Sequence, residues 1–227
     1  MLHYQIEFDD YRQHLIHVTV RFVAQPTQVL SLPTWIPGSY LIREFSKHIE
    51  GVRAYDEDGR LLQIRKNEKN KWQLFNTDFE LITVEYDVYA YDLSVRGAYV
   101  DQTRLYVNPA CACLGLEGQE DKAVEVELFL PPELKHFQLA TGLPSKSLVK
   151  GRYTLKAKNY AELIDSPFAL ADQTRFSFEA NGIPHEFVVS GKHAMNEQRM
   201  KQKKEKICAT EISMFGSAPF ENYTFMT

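Results

Sequence analysis

In the run HLIHVTVRF (14–22), Ile16, Val18, Val20 and Phe22 alternate with His17, Thr19 and Arg21. Side chains of an extended chain point to opposite faces in turn, so this pattern demands a strand with one face in a core and one in water. ITVEYDVYA (82–90) repeats it, with Ile82, Val84, Tyr86 and Val88 on one face. AVEVELFL (123–130) does so again with Val124, Val126, Leu128 and Leu130. Turn residues separate such runs: DEDG (56–59) lies between GVRAY and RLLQI, and NEKN (67–70) precedes KWQLF. Short alternating runs punctuated at this rate predict an antiparallel, sandwich-like β domain, which we expect over residues 1–165.

The pattern changes at NYAELIDSPFAL. The Ser166–Pro167 step follows a short helix-compatible run and suggests a boundary. Beyond it, TRFSFEA and HEFVVSG read as a hairpin. Residues 194–215 read as a long helix with Met200, Ile207, Cys208, Ile212 and Phe215 at helical spacing and Gly216 as its C-cap. FENYTFMT then begins another strand. A hairpin, one helix and the start of a strand bury little, so the expectation for 166–227 is the opening of a second domain whose remainder is not in the chain. The helix face is accordingly expected to lack its partner and to offer a route to a dimer.

Several function classes are excluded by composition. The net charge of −4 and pI near 6.0 give no general attraction to nucleic acid or an anionic membrane. The basic run RMKQKKEK (199–206) is interleaved with glutamates and reads as a solvated helix face. No apolar run approaches the roughly 18–20 residues of a membrane span, and MLHYQIEFDDYRQHL lacks the two regions of a signal peptide. Cys111, Cys113 and Cys208 make no even disulfide framework, and with these features they point to the cytoplasm.

Metal and nucleophile motifs fail on inspection. HEFVV (185–189) opens like the zinc motif H-E-x-x-H, but its fifth residue is Val189, and Gly182 and Pro184 favour a strand where the motif needs a helix. His14 and His17 stand three apart in a strand pattern, on opposite faces. Cys111 and Cys113 have no second ligand pair and read as small buried thiols. No phosphate loop or nucleophile elbow is present. From its residues alone, the chain reads as a largely β protein with an α/β appendix.

The stretch LPTWIPGSYLIREFSKHI (32–49) adds to that reading. It closely resembles the signature near the start of the glycyl aminopeptidases, metallopeptidase family sixty-one, with its Leu-Pro-x-Trp-x-Pro-Gly-Ser-Tyr-x-x-Arg-Glu-Phe run. RGAYVDQTRLYVNPACACL (96–114), ELIDSPFAL, ANGIPHEFVV and MFGSAPFENYTFM resemble further family segments in the same order, so the likeness covers essentially the whole chain. It implies a β domain leading into the first strands and one long helix of a thermolysin-like α/β domain. The intact protein would be a zinc-dependent aminopeptidase acting on N-terminal glycine or other small residues. The family's H-E-x-x-H, its downstream Glu and its Gly-Gly-Leu-Glu-His-like segment are absent from the chain. By this resemblance the chain itself holds no catalytic residue, no metal ligand and no cofactor; the zinc and the peptide substrate belong with a C-terminal catalytic part. Pro33, Pro37, Gly38 and Ser39 predict a rigid loop that projects Tyr40, Arg43 and Glu44 toward that part. Asp101 and Asn108 complete the set of substrate-facing or interdomain candidates. The alternative from a different class is a stand-alone, non-enzymatic β-sandwich module that binds another protein.

Overall fold

A computed structural model of the chain describes residues 1–75 and 80–227. In chain order the strands run β1 (Leu2–Glu7), β2 (Leu15–Val23), β3 (Val29–Ser31), β4 (Ile49–Tyr55), β5 (Leu61–Leu62), β6 (Ile64–Glu68) and β7 (Lys71–Leu74). They continue as β8 (Leu81–Tyr89), β9 (Ala98–Val100), β10 (Arg104–Val107), β11 (Gly115–Leu116), β12 (Val124–Phe129), β13 (Gln138–Thr141), β14 (Ser145–Val149) and β15 (Arg152–Ala157). The short helix α1 (Tyr160–Ile164), β16 (Phe168–Ala171), β17 (Gln173–Ala180), β18 (Ile183–Ser190), the long helix α2 (Glu197–Phe215) and β19 (Tyr223–Met226) complete the described fold, which is mainly β.

An eight-stranded sheet, ordered β14-β15-β12-β1-β2-β8-β4-β5, forms the spine. Its register follows from the alternation. Ile16, Val18, Val20 and Phe22 of β2 stand opposite Val88, Tyr86, Val84 and Ile82 of β8, so two apolar faces coincide and a one-residue slip would turn both sets to water. Leu2, Tyr4 and Ile6 of β1 match Val124, Val126 and Leu128 of β12 in the same way, although that pair is parallel. Parallel neighbours need a long connection, and here most of the domain provides it. Two four-stranded sheets, β13-β16-β10-β9 and β11-β3-β7-β6, share one core with the inner face of the spine.

The segment from Ala112 to Gly115 is buried in that core, where its backbone groups need partners. Three tyrosines supply them. Tyr4 of β1 donates to the Leu114 carbonyl at 2.6 Å, and the Tyr160 hydroxyl of α1 donates to the Cys113 carbonyl at 2.8 Å. Tyr86 of β8 donates to the Ala112 carbonyl at 2.9 Å and accepts from the Leu114 amide at 3.0 Å. Gly115 is required beneath Tyr160: a Cβ there would lie 2.7 Å from the ring. Burial raises the pKa of all three phenols, so they remain neutral donors.

Phe168 and Leu170 of β16 belong to the large core, so packing passes to a second, smaller core only beyond β16, one strand after the Ser166–Pro167 step. There β17, β18 and β19 form a three-stranded sheet in which β17 and β18 are the expected hairpin and β19 adds parallel to β18. Helix α2 begins later than expected because the Asn196 side chain caps it, accepting from Arg199 N at 2.9 Å, and it ends at the left-handed Gly216. It packs on the sheet through Cys208, Ala209 and Ile212, whereas Ile207 and Phe215 of the expected apolar face stand in solvent with Met214. Lys204 departs from the otherwise solvated basic run and lies 4.6 Å from the Phe225 ring centre. Arg175 of β17 fastens this sheet to the first unit: it donates to the Leu139 carbonyl of β13 and pairs with Glu186 of β18.

On the outer face of the spine, Glu7, His17, Asp87 and Glu50 form one cross-strand row. His17 is held between Asp87 at Nδ1 and Asp10 at Nε2, the latter at 2.7 Å. Burial works against the charged ring, but the two carboxylates outweigh it and raise its pKa.

Two outcomes are expected. Tyr4→Phe orphans one buried backbone carbonyl and should cost about 1–3 kcal/mol; Tyr86→Phe orphans a carbonyl and an amide and should cost more in urea unfolding, an equal or smaller loss contradicting the clamp. A raised folded-state pKa means that His17 contributes its full stabilisation below about pH 6.5, the ordinary histidine value, and loses it as pH rises through the higher folded value. The stability gap between wild type and His17→Gln should therefore narrow from pH 6 toward pH 8, and a gap constant with pH would count against the charged ring.

Candidate functional site

The segment between β3 and β4 closes into a loop when Arg43 N donates to the Thr34 carbonyl at 2.6 Å. Inside it, Ser39 N donates to the Ile36 carbonyl at 3.1 Å, a turn that Gly38 permits with its φ of 78°. Ser39 is buried and is the hub. Its hydroxyl donates to the Leu41 carbonyl at 2.9 Å and accepts from Arg43 Nε at 3.3 Å, while its own carbonyl accepts from the Trp35 indole at 2.8 Å. The loop is rooted by Ile36 and Phe45, which are buried; Trp35 is half exposed and Tyr40 is fully exposed at 101%, followed by exposed Leu41 and Ile42. Two prolines, a positive-φ glycine and this small network make a stiff projection with an apolar tip.

A second loop, 92–97, braces the first. Arg96 donates to the Gly38 carbonyl at 2.9 Å. This loop is itself held from β10: the Tyr106 hydroxyl donates to the Val95 carbonyl at 2.8 Å, and Asn108 Nδ2 donates to the same oxygen at 3.3 Å. Gly97 closes it tightly, since a Cβ there would lie 2.6 Å from Cγ of Asp92.

The five candidates therefore fall into two groups. Tyr40, Arg43 and Glu44 share the projecting loop: Tyr40 faces solvent, Arg43 is half-buried on Ser39, and exposed Glu44 stands 3.4 Å from Lys69 Nζ. Asp101 organises the turn between β9 and β10, accepting from Thr103 N and Oγ1, Arg104 N and the Tyr99 hydroxyl. Burial opposes its charge, but these bonds outweigh it and hold its carboxyl below the usual value. Asn108 is buried and caps the 3₁₀ turn Pro109–Cys111 through Ala110 N. Among the described residues, no hydrogen bond or ion pair joins Asp101 or Asn108 to Arg43 or Glu44. Ser39 and Arg96 carry the geometry that joins the two loops, and both lie inside the quoted motifs.

The zinc-like segment His185–Val189 is a strand and does not form a zinc site. His185 lies in β18, buried and stacked on Phe178 with Nδ1 on the Ile183 carbonyl, and Glu186 is paired with Arg175. His3, Glu125 and Glu127 do cluster, but on the outer face of the spine, where Lys156 approaches Glu125 at 3.4 Å. Burial pushes the Cys111 thiol up to about 12 and raises Cys113 as well, so neither is a nucleophile at neutral pH.

Comparison with known proteins places this geometry. The family model described as the peptidase M61 N-terminal domain matches residues 3–172. Among solved structures, an aminopeptidase N family protein from Idiomarina loihiensis is 43% identical with a TM-score of 0.92; the match covers 100% of this chain and 39% of that one. An M1 zinc metallopeptidase variant from Deinococcus radiodurans bound to a Tyr-Ser-Ala substrate matches at 10% identity and TM-score 0.58, over 99% of this chain and 54% of its own. Aminopeptidase A from Legionella pneumophila matches at 12% and 0.60, over 99% and 28%. The last two show a shared fold alone. This chain spans about two fifths of the Idiomarina protein. Comparison with curated proteins finds no match.

Ser39→Ala removes the hub of the projecting loop. It should speed amide exchange at Leu41 and Arg43 and lower stability by about 1 kcal/mol; unchanged exchange at both amides would show that the loop does not depend on the hydroxyl.

Proposed function

Because this chain belongs to the peptidase M61 family through its N-terminal domain, we propose that it is the non-catalytic N-terminal part of a zinc-dependent aminopeptidase. The observation that carries the reading is the braced loop itself. Proline, a positive-φ glycine and the Ser39 network hold Tyr40, Leu41 and Ile42 out in solvent on a stiff support, an arrangement suited to meeting another surface with little loss of conformational freedom.

In this reading the adjoining surface is the C-terminal catalytic part of the same polypeptide, a thermolysin-like domain that begins with β17, β18, α2 and β19. Exposed Ile207, Met214 and Phe215 on α2 are the apolar surface that the remainder of that domain covers. Zinc and its ligands belong to that remainder; the metal supplies the Lewis acid and activated water of peptide hydrolysis. The residues of this chain orient and enclose: Tyr40 and Arg43 face the interdomain cleft, and Asp101 and Asn108 hold the turns behind it. Removal of N-terminal glycine or another small residue, in the cytoplasm, is the activity this family membership favours. The helix tip is also the surface through which an isolated chain would dimerise.

The gene's full product should release N-terminal glycine from peptides, lose that activity to a chelator and regain it with zinc. The 227-residue chain should hydrolyse nothing under any of these conditions. Tyr40→Ala in the full product should lower kcat/KM roughly tenfold, about 1.4 kcal/mol, without moving the thermal midpoint. Hydrolysis by the short chain, or a full product indifferent to zinc, would overturn the reading.

A further inference from the structure

Strands β1 and β12 lie side by side, and their alternation sends Leu2, Tyr4 and Ile6 with Val124, Val126 and Leu128 into the core. The residues between these therefore share the outer face of the spine. There His3 stands opposite Glu125, and Glu127 follows two residues along the same strand. All three are half-buried. His3 Nε2 lies 3.7 Å from Glu125 Oε1, and one ligand atom from each of the three side chains lies within 4.8 Å of the other two.

Two carboxylates drawn this close repel each other unless a cation stands between them. Lys156 approaches from β15, opposite Glu125, but it does so at Oε2, 3.4 Å away, and leaves Oε1 toward the imidazole. Its side chain is mostly exposed and free to swing aside. The neighbours of Glu127 on the adjoining strands are Gln5 and Thr154, which carry no charge. An imidazole nitrogen together with carboxylate oxygens suits zinc and the other first-row divalent ions, whereas calcium and magnesium take oxygen donors. Bonds of about 2.0–2.2 Å to a tetrahedral zinc set its donors roughly 3.4 Å apart. The His3–Glu125 pair is already near that spacing, and the long, unbranched Glu127 side chain closes the remainder by rotation about its own bonds.

We propose that His3, Glu125 and Glu127 bind a divalent ion of the zinc type, with water completing its coordination, and that the ion clips β1 to β12. The two strands are neighbours in the sheet but are joined through most of the first unit. A clip across so long a connection restricts the unfolded chain strongly, so binding stabilises the fold. The site rests on strands of the spine, goes beyond the reading above and is tested without any peptidase activity.

The test is a calorimetric titration of the tag-free 227-residue chain with zinc chloride and, separately, with magnesium chloride, followed by thermal unfolding with and without each salt. Zinc should bind saturably at one equivalent in the micromolar range and raise the unfolding midpoint, and magnesium should do neither. His3→Gln and Glu127→Gln should each weaken zinc binding roughly tenfold or more and remove the rise in midpoint, with unchanged far-ultraviolet circular dichroism as proof of folding. Lys156→Met takes away the competing cation and should tighten binding, a gain that loss of folding could not imitate. Zinc binding undiminished by both His3→Gln and Glu127→Gln would be adventitious binding at other side chains. That result, an equal response to magnesium, or no saturable binding up to about 1 mM zinc would overturn the proposal.

Discussion

Everything in the first unit is arranged around a stretch of backbone that has no strand partner of its own. Ala112, Cys113 and Leu114 are buried against the spine, and a buried amide or carbonyl left unpaired costs about 1–3 kcal/mol. Tyrosines from β1, β8 and α1 meet that demand with their hydroxyls. The solution fixes three elements distant in sequence at once. It also explains why Gly115 must lack a side chain and why α1, only five residues long, has a place in the fold.

The projecting loop inherits its position from this core. Cys111 and Asn108 precede the buried stretch, and Asn108 and Tyr106 hold the 92–97 loop through the Val95 carbonyl. That loop in turn reaches Gly38 through Arg96. The chain of contacts runs from the buried tyrosines to the exposed tip around Tyr40. Asn108 acts as a link in this chain, with both ends of its side chain engaged within the fold.

The second unit is joined by fewer contacts, chiefly Arg175 on Leu139 and the Thr224 hydroxyl on the Thr141 carbonyl at 3.4 Å. Its small core and exposed helix residues contrast with the continuous core of the first.

What the sequence determined by itself is the part that depends on short-range chemistry. Alternation at Ile16–Phe22 and Ile82–Val88 fixed strand faces and register, Gly38 and Gly216 marked positive-φ positions, and the missing second histidine after His185 ruled out the zinc motif. The motif at 32–49 marked the family because its residues are consecutive. Tertiary structure decided the rest: the parallel pairing of β1 with β12, the late start of α2, which helix residues face water, and the roles of Ser39 and Arg96. Each of these depends on partners brought together from distant positions, and hydrogen-bond satisfaction and charge pairing have no periodicity along the chain. A strand announces its buried face every second residue, but a buried carbonyl does not announce which distant tyrosine will reach it.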